Sequence, residues 1–222
     1  MNQRRYRLIV TIFILLSLGT LFVGLQIVRG KRALRAYKAD LVGKGERLLT
    51  TELASPASAE ANQAANRLVQ AASQLPQSGS VLLLNPPPTM RLAAAGKAMV
   101  GWRQPAIRNA RQTNRWEELE ADLEANAGLL SEIRDELQTG QIRWNLDYQQ
   151  GFNLLLPHLA KLKGIARWLS AATMNDLHHS RLGTPLTDVK LMLSLADALR
   201  DEPLLISQLV RIAIAAIALE ST

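Results

Sequence analysis

The sequence predicts an all-α protein: an N-terminal transmembrane helix, then an irregular helical domain ending in αα-hairpins, with at most a short extended segment or two. Three observations carry this expectation. Hydrophobic residues make up 48% of the 222-residue chain but aromatics only 5%. The apolar mass is therefore Leu, Ala, Ile and Val, which suits helices packed on helices better than a β-sandwich. Leu8 to Val28 runs without a charge, and from Gly151 to the end apolar residues recur at helical spacing.

Residues 1–7 form a basic tail with Arg4, Arg5 and Arg7. The run LIVTIFILLSLGTLFVGLQIV, residues 8–28, spans about 31 Å as a helix, which matches the hydrocarbon core of a bilayer. A cleaved signal peptide has a shorter apolar region followed by small residues. This run ends in VRGKR, so an uncleaved anchor is expected. Residues 29–53 continue as a basic juxtamembrane helix. Its Arg29, Lys31, Arg32, Arg35 and Lys38 are placed to meet anionic lipid head groups, and Gly43 and Gly45 are expected to end it. Charge counting alone puts the C-terminal side in the cytoplasm. Long domains translocate largely regardless of flanking charge, however, and MNQRRYR has the character of a signal-anchor start. The expectation is a cytoplasmic N-terminus and an extracytoplasmic C-terminal domain.

The same flank explains the net charge of +7. Eight of the 26 basic residues fall in residues 1–39, which contain no acid, so the rest of the chain sets 18 basic residues against 19 acids. A balanced domain argues against nucleic acid as a partner.

Residues 54–113 are expected to hold a small-residue helix and a proline-rich connector. Ala61, Ala65, Leu68, Ala72 and Leu75 have helical spacing, NPPP at 85–88 forces an extended path, and RLAAAGKAMV reads as another short helix. The helical domain, 114–222, opens with a capping-box-like Asn114 and Glu117. One helix is expected from there to Gly140. It buries Trp116, Leu119, Leu123, Ala127, Leu130, Ile133 and Leu137, and its many acids form a solvated face. QIRWNLDY, 141–148, alternates with a period of two and reads as extended. It is expected to pair with Val81–Leu84 or to lie against the helices as an arm. In GTP, Gly183 can end a helix, Thr184 cap the next and Pro185 begin it. DEP repeats the pattern with Asp201 or Glu202 as cap and Pro203 in the first turn. Ile165–Pro203 is thus an αα-hairpin.

The closing segment, Pro203–Leu219, reads as a core helix rather than a second span. Its sixteen or so residues reach only about 24 Å, and Arg211 at mid-length costs about 2.5–3.5 kcal/mol in a bilayer. Ser207, Gln208 and Arg211 share one narrow face. They form a candidate interaction patch for a protein or a lipid head group, or else hydrogen-bond to neighbouring helices. The arginine is expected to emerge along this polar stripe.

ALRAYKADLVGKGERL, LLPHLAKLKGIARWLS and above all LADALRDEPLLISQLVRIAI resemble a group of uncharacterised bacterial single-pass membrane proteins. Those proteins carry a similar D-E-P-x-L-I-S-Q-L-V-R-I-A run in a helical domain. The resemblance covers about a third of the chain. It implies a bacterial inner-membrane location and further helices beyond this run, so the chain looks like a C-terminally truncated member. It implies no activity.

No catalytic residue, cofactor or metal is assigned from the residues. The chain has no cysteine, which removes thiolate zinc sites and cysteine nucleophiles. There is no phosphate-binding loop, dinucleotide fingerprint or nucleophile elbow. His158, His178 and His179 are the only histidines, and the adjacent pair point about 100° apart on a helix. Trp102, Trp116, Trp144 and Trp168 read as core or interface anchors. The expected function is a membrane-anchored protein-interaction or scaffolding module, binding a protein partner or a second copy. The alternatives are an envelope hydrolase using His178, His179 or the acidic helix, and a truncated product with little function of its own.

Overall fold

Helix α1 runs unbroken from Gln3 to Gly43. Its end follows from glycine: Gly45 sits at φ 85°, a conformation that costs glycine little, and lets the Glu46 and Lys44 amides reach back to the Leu41 and Asp40 carbonyls at 3.0 Å. The computed structural model describes residues 3–46, 57–76, 90–94, 97–108, 113–139 and 141–221, with the side chains of 3–16, 90–100, Arg108 and Phe152 outside that description. Two units result, Met1–Leu53 and Ala54–Thr222. In the first, Leu18, Leu21, Phe22, Leu25 and Ile27 are exposed. Among the described residues no helix is long and apolar enough to cross a membrane. The uncharged run lies within α1, and the side chains of its residues 8–16 are outside that description.

Among its described residues the second unit is helical apart from two small strand pairs and irregular connections. Helix α2, Ala59–Gln74, is capped by Ser58, whose Oγ accepts from the Ala61 amide. It buries Ala61, Ala65, Leu68 and Ala72 as its spacing requires. RLAAAGKAMV is not a helix. Strands β1, Met90–Ala94, and β2, Lys97–Val100, pair antiparallel. Ten residues around a central glycine are too few to hold a helix without a packed face. Ile107–Arg108 (β3) and Thr113–Asn114 (β4) form a second short pair.

The expected long helix is two: α3, Trp116–Ala125, and α4, Ala127–Gln138. Asn126 breaks it, because its Nδ2 donates to the Asp122 carbonyl at 2.8 Å and competes with the helical ladder. The start is shifted too. Asn114 lies in β4, and Glu118 accepts from the Arg115 amide at 3.1 Å. All the anticipated core positions of this stretch are buried except Ala127. Gly140 lies outside the described residues, as do Val81–Leu84 and the prolines of NPPP. Residues 141–147 have no regular structure and run along α2 as an arm. The Arg143 amide donates to the Ala61 carbonyl at 3.5 Å, and the Asn145 amide to Asn62 Oδ1 at 3.0 Å. Ile142 is buried and Trp144, Leu146 and Tyr148 half-buried, so the period-two reading of this arm agrees with its burial.

Helix α5, Pro157–His178, is central. It is buried on all sides from Trp168 to Asn175 and touches α2, α3, α4, α6 and α7, as an all-round apolar helix must. Helices α6, Pro185–Ala198, and α7, Leu205–Glu220, pack on it and on each other. The GTP and DEP boundaries fall where expected, but not by the expected devices. Helix α5 ends at His178, and Ser180, not Gly183, takes the positive φ of 59°. The Thr184 hydroxyl bonds Asp176 instead of capping α6. Neither Asp201 nor Glu202 caps α7, and Pro203 precedes it. Gln208 Nε2 there donates to the carbonyls of Leu199, at 2.9 Å, and Glu202, at 2.6 Å. A side chain from inside the next helix thus satisfies the C-cap carbonyl of α6 and one carbonyl of the connection that follows it.

Candidate functional site

Polar side chains gather where α3, α4 and the C-terminal half of α5 meet. Packing Trp116, Leu119 and Leu123 inward leaves Glu120 and Glu124 on the flank of α3 that borders α5. Arg181, just past the end of α5, donates through Nε to Asp176 Oδ1 at 2.9 Å and through its terminal nitrogens to Glu120 Oε1 at 3.3 Å. Asp176 and Glu120 together raise the Arg181 pKa further, hydrogen bonding to Asp176 being the larger cause. His179 Nε2 lies 3.4 Å from Glu120 Oε2. One turn deeper, Arg134 on α4 grips Asp188 on α6 with two bonds of 2.7 and 2.8 Å. An open cleft of about 290 Å³ lies between these groups, with Leu123, Ala127, Leu130 and Ala172 as its apolar side.

The three histidines are engaged separately. The His178 ring stacks on Trp116 with centroids 4.1 Å apart, and its Nδ1 donates to the Trp102 carbonyl at 2.6 Å. His179 lies edge-on to His178 and reaches a different partner, as the 100° step between neighbours on a helix requires. Among the described residues no group of three or more His, Asp or Glu can hold a metal ion.

His158 belongs elsewhere. It is buried, its Nε2 donates to Glu202 Oε1 at 3.0 Å, and its ring stacks on Trp144 at 4.7 Å. This pair pins the 141–147 arm and the α6–α7 connection to the start of α5.

Ser207, Gln208 and Arg211 lie on one face of α7, and that face points into the domain. Ser207 is fully buried, with no partner for its hydroxyl among the described residues. Arg211 donates to Gln208 Oε1 at 3.2 Å. Of the three, Ser207 is buried while Gln208 and Arg211 are half-buried. Gln208 must reach the carbonyls at and just after the end of α6, and this turns the aliphatic side of α7 outward. Leu205, Ile206, Leu209, Ile212 and Leu219 are all exposed, Leu205 by 77% and Ile212 by 65%.

On α1, Arg29, Lys31, Arg32, Arg35 and Lys38 are exposed, and Lys31, Arg35 and Lys38 share a face at spacings of four and three. The side chains of Arg4, Arg5 and Arg7 lie outside the described residues. Sequence reasoning missed the contributions of Arg134, Asn175, Arg181, Asp188 and Glu202: Arg134 and Asp188 are 54 positions apart, His158 and Glu202 44, and Arg181 reaches Glu120 across 61 as well as Asp176 across five, while Asn175 Oδ1 has no hydrogen-bond partner among the described residues. No local pattern marks them. No family model, curated protein or solved structure matches the chain.

Proposed function

We propose that the protein is a single-pass, membrane-anchored helical module that engages another helix through the outer face of α7. One observation carries this reading. Leu205, Leu209, Ile212, Ala216 and Leu219 follow one another at spacings of four, three, four and three on a solvent-facing side, the repeat that lets one helix seat its side chains between those of another. The anchor is the uncharged run Leu8–Val28 followed by five exposed basic residues. With the resemblance of the DEPLLISQLVRIA run, these features support an inner-membrane location in a bacterium, an extracytoplasmic domain, contact with anionic lipid, and a protein partner or second copy as the source of the helix. Catalysis has no part in this reading.

The natural absence of cysteine makes the test clean. Single substitutions Leu209→Cys and Ile212→Cys, crosslinked in native membranes, are expected to give a discrete adduct, while Glu132→Cys on the exposed side of α4 gives none. Equal adducts from all three, or none from α7, contradict the docking face. The full chain is expected to resist carbonate extraction and a chain lacking 8–28 to be released; a full chain in the supernatant contradicts the anchor.

A further inference from the structure

The outer side of α7 is uncharged except at its last residue. Of the two charged side chains on the helix, Arg211 is half-buried and bonded to Gln208, and only Glu220 is exposed. At the other end the N-cap is Leu204, which supplies no side-chain cap to the first turn. The acids just before that turn are already engaged, Asp197 and Asp201 by Arg143 and Glu202 by His158. The outer strip therefore runs from a positive helix terminus at Leu205 to a carboxylate at Glu220. Between them Leu209, Ile212, Ala216 and Leu219 recur at spacings of three and four. Leu205, Ile206, Leu209, Ile212 and Leu219 are each at least half exposed. They offer roughly 500 Å² per copy, so two such faces together bury about 1,000 Å², the least that a specific interface needs.

We propose that the occupant of this face is a second copy of the chain, its α7 laid antiparallel across a two-fold axis that passes between Ile212 and Ala216. The inference rests on the reading of α7 as a docking face and names its partner. In this pairing Leu209 faces the partner's Leu219 and Ile212 faces the partner's Ala216, so large meets small in the middle and the two helices can approach closely. Glu220 then lies over the first turn of the partner's α7, beside Ile206, and symmetry repeats the contact at the other end. A parallel copy would instead bring Glu220 against Glu220 at two negative helix ends. A charged helix from another protein finds no counter-charge along the seam. The two-fold also closes on itself and leaves no seam for a third copy. The area is small, so the pair depends on the anchors: two copies held in one bilayer meet at a raised effective concentration.

Full-length copies with two different epitope tags, expressed together, are oxidised in native membranes with copper phenanthroline. Leu209→Cys in one copy and Leu219→Cys in the other are expected to give a disulfide band of two chains carrying both tags. Neither variant is expected to link to itself, because each then lies ten residues, about 15 Å, from its own counterpart. Ile212→Glu in both copies, at an exposed position that does not endanger folding, is expected to abolish the mixed band, and Glu220→Lys to weaken it about fivefold. Self-linking of the single variants in place of the mixed pair shows a parallel arrangement and overturns the proposal, as does a mixed band that Ile212→Glu leaves intact. Absence of any disulfide overturns the second copy as occupant. A cysteine-to-amine crosslinker at Leu209→Cys then separates the two readings: an adduct of another mass leaves the docking face standing with a different partner, and no adduct removes the docking face as well.

Discussion

Arg134 and Asp188 show how far one residue's role can lie from its sequence signal. Asp188, in the first turn of α6, is 1% exposed and depends on the two bonds from Arg134. Removing Arg134 leaves a buried charge, so Arg134→Met is expected to cost about 3–5 kcal/mol in urea unfolding, and Asp188→Leu in the same chain to recover most of it. An unchanged unfolding midpoint for Arg134→Met would rule the pair out as a fastener of α4 to α6. Tyr148 offers a second test. Burial, with a smaller contribution from Glu202, pushes its phenol up to about 12. The unfolded chain ionises near 10, so Tyr148 supports the fold fully below pH 10 and that support is lost as pH rises toward 12. Against Tyr148→Phe, the wild type is expected to lose stability between pH 10 and 12; parallel pH curves for the two would contradict this burial.

At the scale of the element, helix existence was legible and helix detail was not. The burial of Trp116, Leu119, Leu123, Leu130, Ile133 and Leu137 follows from spacing alone, because a 3.6-residue period puts them on one side. The break at Asn126 was not legible, since one amide bonding back by four residues decides it. RLAAAGKAMV went the other way. Its alanines favour a helix, but strand pairing overrides that weak preference. Helix α5 carries Gly164 in its interior, where an added Cβ would meet nothing within 4 Å. Gly164→Ala is expected to raise stability by about 0.5–1 kcal/mol in thermal or urea unfolding. A loss would mean that the site needs closer backbone approach than its open surroundings suggest. Helix α7 carries the largest difference. Its apolar face proved wider than the contact: Ile214 and Ala218 are buried, while Leu205, Leu209, Ile212 and Leu219 stay exposed.

At the scale of the molecule, charge and grease are segregated along the chain. Every described basic residue of the α1 flank is exposed, while the helical unit balances its own ions through pairs such as Arg67–Glu136 at 2.6 Å and Arg143–Asp201 at 3.4 Å. A chain beginning at Arg29 is therefore expected to sediment with phosphatidylserine vesicles at low salt and to lose that binding at high salt. Replacing Lys31, Arg35 and Lys38 by Gln is expected to weaken it by about 1 kcal/mol per residue. Binding that survives both changes would place the affinity elsewhere. Composition and periodicity by themselves determined the helical class, the uncharged run, the basic flank and most core positions, because each depends on residues within a turn or two of one another. Only the tertiary structure decided that Gln208 ties the end of α6 and exposes the aliphatic side of α7. It alone brought Glu120, Asn175 and Arg181 around one cleft. Those outcomes depend on hydrogen bonds and contacts between residues tens of positions apart, and burial of a polar stripe is favourable only when partners such as the Leu199 and Glu202 carbonyls lie within reach.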